Sequence, residues 1–362
     1  MSRAQLIWPG VPLALVSAAL FGAGTPLAKL LLGAGTDPWL LAGLLYLGSG
    51  IGLAAVELAR RVRGGAPAEA PLRRADLPWL VLVVLSGGIA GPVLLMIGLA
   101  ATPAAAASLL LNLEGLATMA IAWLMFREYV DRRLLAGAAA ILVGAGVLSW
   151  HGGPSGFSWG TVAIAGACLA WGIDNNLTRK LSAADPVQIA LIKGMAAGAA
   201  NLALAIAAGA RLPPAGLVGG AALLGFFGYG VSLVLFVLAL RHLGAARTGA
   251  YFSTAPFLGA VLAVAMLGEA VSWQFIAAGV LMAVGVVLHL TERHEHEHAH
   301  EALEHEHRHV HDGHHQHPHL PADPEGEPHT HPHRHRPLVH KHPHYPDLHH
   351  RHLHGHGQAG AQ

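Results

Sequence analysis

The sequence predicts an all-α polytopic membrane protein with ten transmembrane helices, arranged as two inverted five-helix repeats, and a disordered tail. Three observations predict this fold class. The chain of 362 residues is 53% hydrophobic and only 12% charged, whereas a soluble domain carries about 25% charged residues. Residues 1–290 divide into ten long apolar stretches, and the two halves of this body resemble each other. The low charged fraction largely excludes an ordinary cytosolic enzyme, and the tail, which holds 24 of the 27 histidines, is distinct from the body.

A membrane-spanning helix needs about 20 mostly apolar residues, and charged or Pro/Gly-rich positions separate ten such stretches. They lie at about 11–32, 38–59, 77–98, 103–126, 133–150, 157–178, 186–209, 214–240, 245–267 and 271–290. The first also has the form of a secretory signal peptide, but it takes part in the internal repeat, which favours a retained helix. The short loops leave no room for a catalytic domain, and the body lacks the common enzymatic motifs. We therefore do not expect an enzyme.

The distribution of Lys and Arg predicts the orientation, because cytoplasmic loops of membrane proteins carry an excess of both. With the N-terminus inside, fourteen basic residues fall in inner segments and Arg211 alone falls in an outer loop. Both termini are therefore predicted to be cytoplasmic. High usage of Ala, Gly and Arg is typical of a GC-rich bacterial genome, so we expect the bacterial inner (plasma) membrane.

The two halves of the body form an internal repeat, which is common in membrane transporters. The first half contains Phe21-Gly22, Lys29 and Asp37-Pro38, which match Trp171-Gly172, Arg179 and Asp185-Pro186 in the second. Further along, residues 112–137 align with residues 253–279, which pairs Glu128 with Glu269. Because five helices are an odd number, the second repeat must be inverted relative to the first. The predicted domains are residues 1–150, 151–290 and the tail 291–362.

An Arg-Glu or Gly-Glu step closes the fourth helix of each repeat, and the second repeat contains the segment TAPFLGAVLAVAMLGE. With ten helices in two repeats, these motifs resemble the EamA-type members of the drug/metabolite transporter superfamily. One departure is Glu114-Gly115 in the first repeat, where the second has Ala255-Pro256. The resemblance implies a secondary transporter of small organic solutes, often an exporter, with the lipid bilayer and a small-molecule solute as partners.

Polar side chains inside the spans are candidates for a substrate path, because an ionisable group at bilayer depth costs about 2.5–3.5 kcal/mol. The candidates are Lys29, Asn112, Glu114, Trp171, Asp174, Asn175, Asn176, Lys193 and Asn201. Glu114 is the deepest carboxyl. Desolvation there favours its protonated form, so it could bind and release protons. The alternative is a neutral acid that only bonds to a neighbouring helix.

Asp174 and Lys193 are predicted to lie at similar depth, because the sixth and seventh spans form an antiparallel hairpin. A salt bridge is one interpretation, and a substrate path lined by the pair and the Asn amides is the other. Lys29 and its repeat partner Arg179 either extend to the interface or act as paired gates. Glu128 and Glu269 lie at helix ends near the interfaces, where capping or loop contacts are the expected role.

The tail combines dense His-x-His steps with Pro, Glu and Asp, and its low hydrophobicity predicts disorder. Neutral imidazole is a good ligand for divalent metals, so we expect Zn, Ni, Co or Cu to bind there at several interchangeable sites. The ligand candidates are His294, His296, His298, His300, His305, His307, His309, His311, His314, His315, His317 and His319. Two alternatives are a pH response, since imidazole titrates at about pH 6.5, and a tail without a defined role.

These observations lead to three functional hypotheses. The first is a transporter, in particular an exporter, of small organic metabolites by alternating access, with protons as a candidate coupling ion. The second makes a divalent metal the cargo, fed by the tail, although the spans contain no His or Cys pair at ligand spacing. The third is a membrane-anchored metal store or sensor. No cofactor is required, the near-neutral charge gives no reason to expect nucleic acid, and a homodimer is one open oligomeric state.

Overall fold

Ten helical segments run through the described part of the body, one for each predicted stretch. The computed structural model describes residues 10–63, 72–126, 132–150, 158–178, 181, 184–243, 245–290, 295–300, 304–309, 329–334 and 338–343. Seven helices in this part of the chain are long and apolar enough to cross a membrane, and two more are shorter and apolar. The chain therefore has the architecture of a polytopic membrane protein.

The helices are numbered α1 to α10 in chain order. Six are continuous: α1 (Gly10–Gly33), α2 (Pro38–Val62), α5 (Arg132–Ser149), α6 (Trp159–Thr178), α7 (Pro186–Ala207) and α10 (Trp273–Leu290). After a 3-10 turn (Arg74–Asp76), α3 comprises Leu77–Val83, Val84–Ala90 and Gly91–Ala101; α8 comprises Ala215–Leu224, Gly225–Val231 and Ser232–Leu243. Each of α4 (Ala104–Leu110 and Leu113–Phe126) and α9 (Ala245–Phe252 and Ala255–Leu267) is broken once.

The Asp-Pro steps of the repeat start α2 and α7. The carboxylate of Asp37 accepts a hydrogen bond from the amide of Leu40 over 2.9 Å, and that of Asp185 accepts one from Val187 over 2.8 Å. In each case proline occupies the first helical position, where its missing N–H is not needed. These caps explain why the same dipeptide recurs in both halves.

The centres of α3 and α8 are π-helical, over Val84–Ala90 and Gly225–Val231. The spacing that pairs Glu128 with Glu269 also pairs Val84 with Gly225, so the two π-helical turns occupy equivalent positions in the repeats. π-Helical turns are rare and frequently occur at functional sites. The repeat symmetry therefore extends to the irregular backbone of the core.

The two repeats are interwoven. Helix α1 packs against α8 and α9 of the second repeat, and α6 packs against α3 and α4 of the first. Helix α2 packs along α7, and α5 packs along α10. Each repeat has thus exchanged its first helix with the other, so the division of the sequence into residues 1–150 and 151–290 does not correspond to two separate bodies.

Glycines bring α2 and α7 into backbone contact. A Cβ atom on Gly194 would lie 2.6 Å from the amide nitrogen of Gly50, and a Cβ on Gly50 would lie 2.5 Å from that of Met195. Apolar surface alone does not drive helices together in lipid, so close approach at small residues supplies the packing energy. Neither glycine can acquire a side chain without moving a helix backbone.

We predict that Gly194→Ala lowers the free energy of unfolding by about 1–3 kcal/mol, the usual cost of overpacking. The measurement is unfolding of the purified protein in detergent. Gly216→Ala is the matched control, because a Cβ at Gly216 has nothing within 4 Å. Equal stability of the two variants would contradict the tight crossing of α2 and α7.

Four short strands are described in the tail: β1 (Glu295–His300), β2 (Glu304–His309), β3 (His329–Arg334) and β4 (Leu338–Pro343). Strand β1 pairs with β4 and β2 pairs with β3, both antiparallel. The sequence predicted disorder throughout the tail, whereas these four segments are extended and paired. The physical reason lies in the His-x-His alternation, which has the two-residue period of a β-strand.

Candidate functional site

A buried ion pair joins α6 to α7. The Lys193 ammonium donates a hydrogen bond to Oδ2 of Asp174, and the hydroxyl of Thr178 donates to Oδ1 over 3.1 Å. The side chain of Lys193 is 10% exposed and that of Asp174 is 7% exposed. The predicted salt bridge between the two residues is therefore confirmed, and each charge offsets the desolvation cost of the other.

The π-helical turn of α3 makes room for this ion pair. A Cβ atom on Gly87 would overlap the carboxylate of Asp174, and a Cβ on Gly91 would lie 2.7 Å from Nε1 of Trp171. Only glycine lets the backbone of α3 approach α6 this closely. The sequence analysis treated Gly87 and Gly91 as a general packing signal and did not connect them to the polar cluster.

Three side chains bind the carbonyl groups of the π-helical turn. Tyr46 donates to the carbonyl of Gly87 over 2.7 Å, and Trp171 donates to the same oxygen over 3.0 Å. The amide of Asn201 donates to the carbonyl of Gly88 over 3.0 Å. These bonds give the carbonyl groups of Gly87 and Gly88 partners at a turn where the backbone departs from regular α-helical hydrogen bonding. Tyr46 was missed by the sequence reasoning, because a single tyrosine in an apolar span carries no distinctive pattern.

Glu114 lies near the ion pair, and one of its carboxylate oxygens accepts a hydrogen bond. It is half-buried in the first turn after the break in α4. The amide of Asn175 donates to Oε1 of Glu114 over 3.0 Å and to the hydroxyl of Thr118 over 3.2 Å. Among the described residues, no donor reaches the other oxygen of Glu114. The side chain of Asn175 is exposed.

The remaining candidate amides bind backbone. Asn176 donates to the carbonyl of Thr118 over 3.0 Å and to that of Gly172 over 2.8 Å, which ties α6 to α4. Asn112 lies at the break in α4, where it donates to the carbonyl of Leu109 over 2.8 Å. These contacts give both residues a structural role, and their place on a substrate path stays a prediction.

Aromatic rings surround the centre where the two repeats meet. Phe21 and Trp171, which are repeat partners, pack edge to face with ring centroids 6.2 Å apart. Tyr229 from the π-helical turn of α8 lies 6.0 Å from Phe21 and 5.5 Å from Tyr46. Edge-to-face contacts of this kind are favourable between aromatic rings. The polar cluster therefore adjoins a group of aromatic rings from both repeats, Phe21, Tyr46, Trp171 and Tyr229, which we call the aromatic wall.

Lys29 and Glu269 together hold the turn between α3 and α4. The ammonium of Lys29 donates to the carbonyls of Leu99, Ala100 and Thr102 over 2.6, 3.2 and 2.9 Å. The carboxylate of Glu269 accepts from the amides of Ala104 and Ala105 over 2.6 and 2.8 Å. A cation at the end of one helix and an anion at the start of the next both match the helix dipoles. We call these contacts the Lys29–Glu269 clamp.

The capping role predicted for Glu269 is confirmed. The ammonium of Lys29 binds backbone oxygens of the turn between α3 and α4, and its two interpretations, extension to the interface and gating, stay predictions. The repeat partners Arg179 and Glu128 lie outside the described residues.

We predict that Glu269→Ala loosens the turn between α3 and α4. Two helix N-terminal amides lose their acceptor, and loss of such a cap costs about 0.5–2 kcal/mol. Hydrogen exchange measured on the peptide that contains Ala104 and Ala105 should accelerate. Glu57→Ala is the control, because Glu57 pairs with Arg60 and Arg61 at the end of α2, away from this turn. Unchanged exchange in Glu269→Ala would contradict the clamp.

No group of three or more His, Cys, Asp or Glu that could hold a metal ion occurs among the residues that the structure describes. Of the predicted tail ligands, some lie in strands β1 and β2: His296, His298, His300, His305, His307 and His309. The others lie outside the described residues: His294, His311, His314, His315, His317 and His319.

The groups around Asp174, Lys193 and Glu114 can exchange a proton and bind a polar solute. It contains an ion pair whose charges balance, a neighbouring carboxyl with one oxygen that no described donor reaches, and amide and aromatic groups around both. Such a set can hold a proton on Glu114 or accept a hydrogen bond from a solute.

Comparisons with known proteins agree with this architecture. A family model described as the EamA-like transporter family matches residues 8–150 and again residues 158–291. An uncharacterized transporter from Methanothermobacter thermautotrophicus is 30% identical over 227 residues, which are 61% of this chain and 66% of that protein. A solved crystal structure with 22% identity has a TM-score of 0.56 and covers 79% of this chain and 96% of its own. At that identity the likeness shows the fold alone.

The two matched segments of the family model correspond to the two five-helix repeats and together cover the body of the chain. The protein is thus a polytopic membrane transporter that belongs to the EamA-like transporter family.

Proposed function

We propose that the protein exports small organic solutes from the bacterial cytoplasm by alternating access, along a path that passes Glu114 and Asn175. The observation that carries the proposal is the carboxyl of Glu114, whose Oε1 binds Asn175 while no described donor reaches Oε2. An ionisable group at this depth is costly and marks a functional site by default. The adjacent Asp174–Lys193 pair and the aromatic wall supply further groups that a solute can contact.

Proton coupling follows from the surroundings of Glu114. When the region beside Asn175 is filled with water, the ionised carboxylate is solvated, and when the region closes, desolvation favours the neutral acid. In one state the solute replaces the proton on Glu114, and in the other state a proton replaces the solute. The solute and the proton would then cross the membrane in opposite directions. Glu114 thereby links the two fluxes.

The Lys29–Glu269 clamp supports a two-state mechanism. With the N-terminus inside, as the Lys and Arg distribution favours, the clamp lies on the outer face of the membrane. It holds the turn between α3 and α4 with charge-assisted hydrogen bonds, which are stronger than neutral ones. We infer that the outer face is closed in this state and that the clamp must break when the path opens outward.

A metabolite comparison tests the proposed function. The culture media of a deletion strain and of the same strain complemented with the gene are profiled, and any solute that differs is then loaded into proteoliposomes with purified protein. We expect saturable flux of at least one organic solute. If no solute differs and none of those tested moves, organic export is wrong.

For the tail we propose that it binds divalent Zn, Ni, Co or Cu at the cytoplasmic face. The 24 histidines after residue 293 support this proposal, because neutral imidazole is a preferred ligand of these ions. Removal of residues 291–362 should lower the tolerance of cells to nickel, zinc or cobalt. Unchanged tolerance would exclude a role in metal handling, including the versions in which the metal is the cargo or the chain is an anchored store.

A further inference from the structure

The polar side chains around Glu114 use their hydrogen-bond donors on one another. The amide nitrogen of Asn175 donates to Oε1 of Glu114 over 3.0 Å and to the hydroxyl of Thr118 over 3.2 Å, which occupies both of its N–H groups. The hydroxyl of Thr118 in turn donates its proton to the backbone carbonyl of Glu114 over 2.9 Å. Neither Asn175 nor Thr118 therefore has a side-chain donor left for a solute.

The hydrogen-bonding capacity that remains at this site consists of acceptors. An ionised carboxylate only accepts hydrogen bonds, so the NH2 end of the Asn175 amide faces Glu114 and the carbonyl end does not. Two oxygens are left, Oε2 of Glu114 and Oδ1 of Asn175, and among the described residues no donor reaches either of them. A solute that binds here must supply the donors itself.

The charge of the site has the same preference. The charges of Asp174 and Lys193 cancel in the buried ion pair, so the ammonium of Lys193 is not available to a solute carboxylate. Ionised Glu114 then leaves the site with a net negative charge. An anion would be repelled by that charge, whereas a cation would be attracted to it more strongly than in water.

We propose that the Glu114–Asn175 site selects small organic cations that carry a primary ammonium group. Such a group has a positive charge and three N–H donors with no acceptor, which complements one negative charge and two unused acceptor oxygens. A quaternary ammonium has the charge but no N–H donor. Trp171 lies one turn from Asn175 on the same face of α6, because residues four apart are neighbours on a helix. An apolar group attached to the ammonium would thus extend toward the aromatic wall.

This substrate class rests on the proposed function and fits its exchange of solute for a proton. Protonation makes Glu114 neutral and turns one of its oxygens into a donor. A bound ammonium then loses both the opposite charge and an acceptor, so it is released. The site therefore holds either an ammonium or a proton, and each carries one positive charge.

Three compounds that share a phenyl ring and a two-carbon chain test the inference. They are phenethylammonium, its trimethylammonium derivative and the carboxylate hydrocinnamate. Their binding to the full-length protein in detergent is measured by isothermal titration calorimetry. We expect phenethylammonium to bind roughly tenfold or more tightly than the trimethylammonium derivative, the effect of one charge-assisted hydrogen bond. Hydrocinnamate should bind weakest.

Variants of the carboxyl show whether Glu114 is the cause of this preference. Glu114→Gln replaces the charge by a neutral amide with donors, so the preference for phenethylammonium over hydrocinnamate should disappear. Glu114→Asp retains the charge and should retain the preference. Glu57→Gln is the matched control and should bind all three compounds as the unaltered protein does.

The inference is overturned if hydrocinnamate or the trimethylammonium derivative binds as tightly as phenethylammonium to the unaltered protein, or if none of the three binds. These comparisons do not depend on the folding of a variant. An unchanged preference in Glu114→Gln would also overturn it. Failure of the proposed function has a different signature, because phenethylammonium would then bind with the expected preference while no solute crosses the membrane of proteoliposomes.

Discussion

Lys193→Met is expected to lower the free energy of unfolding by about 3–5 kcal/mol, because it leaves the Asp174 carboxylate buried without its partner. Methionine preserves most of the side-chain volume, so the change isolates the loss of charge. The carboxylate cannot turn toward water, since Gly87 and α3 cover it on one side and Thr178 holds its second oxygen. Unfolding in detergent, followed by tryptophan fluorescence, is the measurement.

The double variant D174N/K193M provides the control for this prediction. Removing both charges avoids an uncompensated ion, and replacing a buried pair by neutral groups is often close to neutral in stability. We therefore expect the double variant to recover most of the lost stability. If Lys193→Met alone is as stable as the unaltered protein, the pair is not buried as described. Flux through the recovered double variant then reports whether the pair also serves transport.

Glu114→Gln is expected to reduce flux roughly tenfold or more, a change of at least about 1.4 kcal/mol in the transport barrier, without loss of folded protein. Glutamine matches glutamate in size, and its carbonyl oxygen can still accept the hydrogen bond from Asn175. It cannot release a proton, so coupling between solute and proton fails. The measurement is solute flux in proteoliposomes that contain equal amounts of each variant.

Glu57→Gln is the matched control for Glu114→Gln. Glu57 pairs with Arg60 and Arg61, and pairs of this kind contribute about 0–1 kcal/mol, so its flux should be unchanged. If the Glu114→Gln variant folds and retains full flux, the carboxyl has a structural role and no role in transport. Loss of folded protein in Glu114→Gln would equally contradict the assignment, because the carboxyl would then be needed for stability.

The polar pair could be predicted from the sequence because it depends only on distances along two consecutive helices. Asp174 and Lys193 lie at comparable distances from the same loop, and the fixed rise of a helix converts those distances into depth. The capping role of Glu269 was likewise accessible from its position at a helix end. The orientation of the repeats followed from their odd number of helices.

Other features depend on contacts between distant segments, which hydropathy does not report. The exchange of α1 and α6 between the repeats arises from packing across the whole body. The π-helical turn of α3 is stabilised by Tyr46, Trp171 and Asn201 from three other elements, so no local pattern marks it. Gly87 is one glycine among 45, and its contacts with Asp174, Tyr46 and Trp171 distinguish it.

In the proposed mechanism, water and solute reach the Glu114–Asn175 site alternately from the two faces of the membrane. Asn175→Cys in a Cys168→Ala background tests it, with a charged, membrane-impermeant thiol reagent applied to vesicles of each orientation. Leu169→Cys in the same background is the control, because Leu169 is 53% exposed on the same helix and apolar, as expected for a lipid-facing position. The account predicts labelling of Asn175→Cys from both faces and none of Leu169→Cys; labelling of Asn175→Cys from neither face, or from one face only, would contradict it.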